Sequence, residues 1–343
     1  MPGAGGAPSG APGKVGLGTD SPAEPVHVVG NLRVDGTIKS EAAPLKLAIG
    51  ATDALRLEPT AGTPNIIGGH DQNSAFGQGA VIVGGGQVNQ SNNVNEDFGF
   101  IGGGFANQVG TAGSSSNGFA AVIVGGVSHF APGNHSAILD GESNGAHGDA
   151  SAVGGGTDNF VGANTDHGCV PGGAENNVDF EYGVATGFQA RSRGYGQMAH
   201  AAGGFSKTGR GEAQTYTYVV RGVTTDATPT ELFLDGAARQ ILLASDTTVA
   251  FDALVVGRDD DLGCGVDSAA YRITGLIERC GSITVGFVGT PALTVLAEDD
   301  ATWTAAAQII SSGASLGLKI VVTGSAGQTT RWVATVRTAE VRH

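Results

Sequence analysis

Paired carboxylates are the side chains in this 343-residue sequence best suited to chemistry. Glu96 with Asp97, Asp179 with Glu181, and Asp299 with Asp300 are the pairs. Cleaving a glycosidic bond takes two acids facing across a sugar, about 5–10 Å apart. Neighbouring acids in a strand point to opposite faces, so such pairs are expected to be solvated loop acids rather than partners. One acid would also have to be held protonated by an apolar pocket. No such pocket is evident in the sequence, and no catalytic residue is assigned.

Arg258-Asp259-Asp260-Asp261-Leu262-Gly263 reads as a hairpin tip. Alternate oxygens at Asp259 and Asp261 suit Ca²⁺, but no Glu follows at the twelfth position of a calcium loop, so a solvated acidic turn is expected. Six of the eight histidines, His70, His129, His135, His147, His167 and His200, lie in a glycine-rich stretch. A three-fold axis would gather three copies of any one of them. No His-x-His or His-x3-His spacing occurs, and turn or surface positions are expected. The triple glycines are not phosphate loops, since neither Lys nor a helix follows them. Gly154-Gly155-Gly156-Thr157-Asp158 is like a calcium-binding nonapeptide but is not iterated. No metal and no cofactor are expected.

The elements that carry these residues follow from a repeat. Between Ile67 and Gly211 a small aliphatic is followed by glycines and then, usually, by Asn six positions after the aliphatic. Clear copies begin at Ile67, Val83, Ile101 and Val153, with Asn73, Asn89, Asn107 and Asn159; worn copies begin at Val124, Ile138, Val170, Val184 and Ala201. Anchors lie 14 to 23 residues apart, too close for two-helix repeats or propeller blades. That period predicts a narrow parallel β-solenoid with two short strands and two turns per coil. Gly fits the sharp corners, and Asn is expected to occupy left-handed turn positions. Rungs about 4.8 Å apart make nine coils about 40 Å long.

Composition agrees with an all-β chain. Gly accounts for 59 residues, and no Lys or Arg occurs from Leu57 to Ala190, so no helix there has its usual charged face. A net charge of −14 argues against a nucleic-acid partner. No secretion signal and no membrane insertion are expected. Three cysteines, Cys169, Cys264 and Cys280, are too few for a disulfide framework and are expected as buried free thiols.

Residues 1–20 form a Pro/Gly/Ala-rich arm; 21–64 a β-rich segment, with a strand pair around Gly50; 65–211 the repeats, with a polar excursion from Gly110 to Gly118; and 212–343 a run of eight to ten short strands. The last are expected to form an antiparallel sandwich or jelly roll, with Trp303 and Trp332 in its core. One or two small aliphatics per coil barely offset the ordering of about 16 residues. Identical solenoids packed around a three-fold axis gain a second buried face, so a homotrimer is expected.

Val15-Gly16-Leu17-Gly18-Thr19-Asp20-Ser21-Pro22, with Val26-His27-Val28 and Gly30-Asn31-Leu32, resembles the start of bacteriophage tail-fibre chains. Ala54-Leu55-Arg56-Leu57-Glu58-Pro59 and Pro64-Asn65-Ile66-Ile67-Gly68-Gly69 look like the lead-in to their repeats. The repeats resemble the left-handed β-roll heads of YadA-type trimeric adhesins. Glu231-Leu232-Phe233-Leu234-Asp235-Gly236 and Arg331-Trp332-Val333-Ala334-Thr335-Val336 look like a C-terminal β-domain of phage fibres. The resemblance implies a trimeric tail fibre or tailspike of a virion, attached through its N-terminal arm to another virion protein. It implies no particular receptor. A self-cleaving C-terminal chaperone, frequent in such fibres, is not expected.

The expected function is therefore non-enzymatic: a virion fibre that attaches to a host-surface glycan or protein. The sandwich loops would bind the receptor, with Asp259, Asp260, Asp261, Asp267, Asp299 and Asp300 as the contact residues. The alternatives are a glycan-cleaving tailspike, against which the 6% aromatic content counts, and a head-decorating fibre. A bacterial adhesin would need a signal peptide, a stalk and an anchor.

Overall fold

A computed structural model of the chain describes residues 15–17, 26–28, 31–40, 43–113, 118–260, 266–313 and 315–343. The chain divides into two compact units, Met1–Leu45 and Lys46–His343. In the first, Val15–Leu17 pairs in parallel with Val26–Val28. Residues 31–40 of that unit are exposed and carry an ion pair between Arg33 and Asp35 at 2.7 Å. No helix among the described residues is long and apolar enough to cross a membrane.

The second unit starts in the strand Leu45–Ile49, which turns at Gly50 to pair with Thr52–Glu58. Thr52–Glu58 runs antiparallel to Asn65–Gly68, the first rung of a parallel β-solenoid of about nine turns. Each coil gives one short strand to each of two ladders. The first ladder climbs through Val81–Ile82, Phe100–Ile101, Val122–Ile123, Ala137–Ile138, Ala152–Val153 and Cys169–Val170 to Val184–Phe188 and Met198–Ala202. The second climbs from Ser74–Ala75 through Phe130–Ala131 and Phe160–Val161 to Arg191–Ser192. A third column of single bridges joins Phe105, Val127, Glu142, Thr157 and Ala174. The interior is one aliphatic per strand: Ile67, Ile82, Ile101, Ile123 and Ile138 on one wall, and Val94, Val109, Ala131, Ala146 and Val161 on the other.

Three expected anchors are one residue out of phase. Val83 and Val124 are 60% and 50% exposed, and the buried residues are their neighbours Ile82 and Ile123; Val184 likewise yields to Ala185. Side chains alternate in a strand, so a one-residue slip exchanges core for surface. The sequences Val-Ile-Val at 81–83 and 122–124 give hydropathy no way to choose the phase.

The role of asparagine also differs from expectation. Left-handed corners are taken by Ala106, Ser128, Ser143, Asp158 and Glu175 on one column, and by Phe98, Ala120, His135, Ala150, His167 and Tyr182 on another. Most repeat asparagines instead form a buried ladder. The Asn92 N–H donates to Asn73 Oδ1 (2.9 Å), the Asn107 N–H to Asn92 Oδ1 (3.1 Å), and the Asn159 N–H to Asn144 Oδ1 (3.0 Å). The Asn176 N–H continues it to Asn159 Oδ1 (3.1 Å). Each amide also donates to glycine carbonyls: Asn107 Nδ2 to Gly103 (3.0 Å) and Gly126 (2.9 Å). This contact explains the glycine column. Gly104 and Gly156 have positive φ, and a Cβ at either would lie 1.9 Å from the carbonyl oxygen of Gly126 or Gly173. Asn89 keeps the expected left-handed turn, exposed, and Asn92 takes the ladder position of its coil.

At one rung the ladder residue is His129. Its own N–H donates to Asn107 Oδ1 (3.0 Å), and its Nδ1 accepts the Asn144 N–H (3.2 Å). The ring must therefore be neutral. Burial pushes its pKa below the ordinary histidine value, against the opposing pull of Asp140 and the Gly141 carbonyl. A lowered folded pKa gives stability that is full above the unfolded value, about 6.5, and lost as pH falls through the folded value. Burial lowers His147 in the same way. His129→Asn should lose less stability than the parent between pH 7.5 and 5 in chemical denaturation. Equal losses in the two proteins would remove His129 from the pH response.

The first ladder continues beyond the solenoid. Met198–Ala202 pairs antiparallel with Ala213–Thr224, which pairs with Thr330–Arg342, then Thr247–Asp259, then Ser268–Cys280. Ser268–Cys280 also pairs with Thr284–Phe287 and Ala292–Glu298. A second antiparallel sheet joins Thr304–Ser312, Ser315–Thr323, Thr230–Glu231 and Ile241–Leu242. Both sheets contribute to one core, in which Trp303 and Trp332 pack with ring centroids 5.2 Å apart. Several of these strands run 12 or 13 residues, longer than expected, and continue through Gly222, Gly257 and Gly275, each paired within its sheet. Cys169 is half-buried and Cys280 exposed, against the expectation of buried thiols, and Cys264 lies outside the described residues.

Candidate functional site

The outer faces of the two ladders differ in chemistry. Beside each buried residue of the first ladder stands an outward one: Ile66, Val81, Phe100, Val122, Ala137 and Ala152 are apolar, and Thr186 and His200 follow toward the far end. The second ladder presents Ser74, Asn93, Gln108, Phe130, Phe160, Asn177 and Arg191. Polar groups and rings therefore share that one face.

Along this face lies a groove of about 640 Å³. Phe130 and His147 form one part of its lining, with ring centroids 5.0 Å apart, and Phe160 stacks on His147 at 4.5 Å. Asn134, Asp149, Asp166 and Glu181 line it from the adjoining corner. These four occupy the same position in successive coils, each just before a left-handed corner residue: His135, Ala150, His167 and Tyr182. The corner backbone binds coil to coil. The His167 N–H donates to the Asp149 carbonyl (2.9 Å), and the Tyr182 N–H to that of Asp166 (3.1 Å).

The acids differ in how far their oxygens are committed. Asp149 accepts the Asn134 N–H on Oδ1 (2.8 Å) and its Nδ2 on Oδ2 (3.2 Å). Asp166 accepts the Asp149 N–H on Oδ1 (3.0 Å), and among the described residues its Oδ2 takes no hydrogen bond. Among the described residues the Glu181 carboxyl has only a long ion pair with Arg239, at 4.0 Å. Asp166 and Glu181 stand on neighbouring coils, about 4.8 Å apart along the solenoid axis.

A second run of rings follows the same corner. Phe98, Phe119 and His135 meet edge to face at 5.6 Å, while His167 stacks on Tyr182 at 5.0 Å and Tyr182 meets Tyr195 at 5.2 Å. The chain has few aromatics, but a coil period puts them in register.

The acid pairs of the sequence are separated by the fold. Asp97 caps the preceding coil through the Gln78 N–H (2.9 Å), while Glu96 turns inward and burial, then Asp97, pushes its pKa up. The Glu96 carboxyl lies away from the groove. Asp179 is paired with Arg191 at 2.6 Å, and only Glu181 of that pair reaches the groove.

The six acids expected to contact a receptor gather, where described, at one end of the C-terminal sheets, and each meets a neighbour there. Asp259 and Asp267 share the Gln328 amide, the latter at 3.1 Å, and Asp260 pairs with Arg331 at 2.6 Å. Asp299 accepts the Ser268 N–H (3.0 Å). Asp300 accepts from Ser325 and from the N–H (2.8 Å) and hydroxyl (2.7 Å) of Thr302, bonds that hold its carboxyl below the usual range. Asp261 lies outside the described residues. Asp149 and Asp166 went unassigned because they stand 17 residues apart in sequence; the coil period itself was the signal that joins them.

No protein-family model and no curated protein matches the sequence. Among solved structures, the chain is similar to a tailspike protein of Acinetobacter baumannii bacteriophage Fri1, described as a capsular polysaccharide depolymerase. That likeness has 10% identity and a TM-score of 0.24, over 82% of this chain and 58% of that one. A second is the tailspike of Acinetobacter baumannii phage AM24, at 13% identity and a TM-score of 0.22, over 76% and 50%. The chain thus spans little more than half the length of the solved chains it matches. Both neighbours are phage tailspikes. The expectation of a non-enzymatic chain is corrected accordingly, since one neighbour is described as a depolymerase. The expectation had a physical flaw as well. It weighed acids and aromatics by sequence adjacency and overall content, whereas the roll stacks both from separate coils.

Proposed function

We propose that this chain is a tailspike-type attachment protein of a phage virion that binds a host-surface polysaccharide along the second ladder and cleaves it there. The observation that carries the reading is the groove in which Phe130 and His147 face Asp166 and Glu181. Rings bind the apolar faces of sugars, and the free carboxyl oxygens supply the chemistry. Asp166 Oδ2, which takes no hydrogen bond among the described residues, is the oxygen suited to attack the anomeric carbon. Glu181 then protonates the leaving oxygen and afterwards removes a proton from the water that releases the product.

The same reading makes the protein a homotrimer. The apolar outer face of the first ladder, with Val83, Val124 and Leu139 exposed beside it, is the surface that copies would share, leaving the grooves outward. The two C-terminal sheets then form a sandwich beyond a left-handed roll of the YadA-head type, and their acidic end is a second place for receptor contact. Sedimentation should give about three times 34.1 kDa. Val124→Glu should shift it toward one chain, and a parent that sediments as a single chain contradicts the trimer.

Cleavage is tested by incubating the protein with a panel of bacterial surface polysaccharides and following chain length by size-exclusion chromatography. One of them should be shortened. Asp166→Asn and Glu181→Gln should each slow this by about 10²–10⁴-fold while the fold is kept. Undiminished cleavage in both variants would remove the groove from the chemistry.

A further inference from the structure

The cations missing from most of the repeats converge where the solenoid meets the antiparallel sheets. A pocket of about 520 Å³ there is lined by Arg191, Arg210 and Arg342, with Glu175, Glu212 and Asn177. The acids are already engaged. Glu212 accepts the Phe205 N–H (2.8 Å), the Ser206 N–H (2.9 Å) and the Ser206 hydroxyl (3.0 Å), and these bonds hold its carboxyl below the usual range despite some desolvation. Glu175 accepts the Gln189 amide (3.0 Å). Arg191 is spent on Asp179 at 2.6 Å.

Arg210 and Arg342 are different. Among the described residues neither has a carboxylate within ion-pair distance; Arg210 reaches only the Asp158 carbonyl, at 3.4 Å. Arg342 acts on Glu212 and Glu340 from farther away. Its Nε is shielded from water and lacks a hydrogen-bond partner. Asn177 Oδ1, in the same lining, is also shielded and unpartnered, although its Nδ2 donates to Asp179 (2.9 Å). Two guanidinium groups in one pocket without a carboxylate partner among the described residues suit an anion, and a sugar bearing a carboxylate presents one.

The pocket adjoins the groove along the same ladder. From Gly145, the rung of His147, the pairing runs through Phe160 and Asn177 to Arg191. Three rungs cover about 14 Å, a distance that a short oligosaccharide spans. We propose that this pocket is an anion subsite which receives the carboxylate of an acidic sugar, with Arg342 and Arg210 on the carboxylate. The assignment rests on the polysaccharide reading and deepens it, making the substrate an acidic polysaccharide.

The test uses the whole chain and small probes, so it does not depend on cleavage. D-glucuronate, glucose 6-sulfate and glucose are titrated against the protein by NMR or calorimetry. Glucuronate should bind in the millimolar range, and glucose at least 10-fold more weakly. Arg342→Gln and Arg210→Gln should each weaken glucuronate at least 10-fold. If glucose 6-sulfate matches glucuronate, the subsite accepts any sugar-borne anion of this charge, and the anion assignment stands. Equal binding of glucose and glucuronate, no binding of glucuronate, or unchanged affinity in both arginine variants would overturn it. Anion binding without cleavage of any polysaccharide would instead sink the catalytic reading and leave this subsite in place.

Discussion

Replacing Asn159 with Ala should destabilise the solenoid by about 4 kcal/mol, the largest loss expected from a single neutral side chain. Asn159 Nδ2 donates to the Gly155 carbonyl (2.9 Å) and the Gly173 carbonyl (2.8 Å), and its Oδ1 accepts the Asn176 N–H (3.1 Å) and Nδ2 (3.0 Å). Its site is closed to water, so Ala leaves the Asn176 N–H and the buried Gly155 carbonyl unpaired, while the Gly173 carbonyl keeps the Thr157 N–H (3.1 Å). Each such group costs about 1–3 kcal/mol. Asn159→Asp restores the acceptor but not the donor and places a charge inside, so it should be no better. Asn89→Ala, in an exposed left-handed turn, should cost about 1 kcal/mol, the backbone preference alone. Denaturant unfolding of the three variants measures this. Equal, small losses at Asn159 and Asn89 would mean that the ladder is not a source of stability.

The second large effect is expected at the buried ion pair between the solenoid and the antiparallel sheets. Arg193 Nη1 lies 3.2 Å from Glu340 Oε1, and Gln214 Nε2 donates to the other oxygen (3.0 Å). Burial pushes the Glu340 carboxyl up, while Arg193, Gln214 and Arg342 pull it down. Arg193→Ala leaves a buried carboxylate uncompensated and should cost about 3–5 kcal/mol at pH 7. With the folded pKa raised further, that deficit grows as pH rises through the unfolded value, about 4.3, and shrinks below it. Glu340→Gln should lose stability with no such dependence. The double change to Met at both positions should recover most of the loss, because well-packed apolar residues often replace such a pair without penalty. A deficit in Arg193→Ala that stays constant from pH 7 to 4 would show that Glu340 is not the charge left behind.

The parallel solenoid was legible because glycine and a small aliphatic return every 14 to 23 residues, and only a coil repeats at that length. Phase was less legible. Val81-Ile82-Val83 offers three equivalent aliphatics, and the choice of Ile82 is made by the neighbouring rungs Ile67 and Ile101. Asparagine was recognised as a repeat residue but given a turn role, since its ladder is a contact between coils and leaves no local mark. His129 in that ladder was invisible for the same reason: its position six residues after Ile123 became meaningful only once Ile123, rather than Val124, was the anchor. The groove failed to emerge because Asp149, Asp166 and Glu181 are unremarkable singly. Reading them in register at the coil period brings them together.

The central claim is that a glycan lies along the second ladder. A crystal structure of the protein with an oligosaccharide derived from whichever polysaccharide it binds tests it most directly. The account predicts sugar rings over Phe130 and His147, with a glycosidic oxygen within hydrogen-bond reach of Glu181. Sugar bound instead at the acidic end around Asp260 and Asp299, with the groove between Phe130 and Glu181 unfilled, would contradict it.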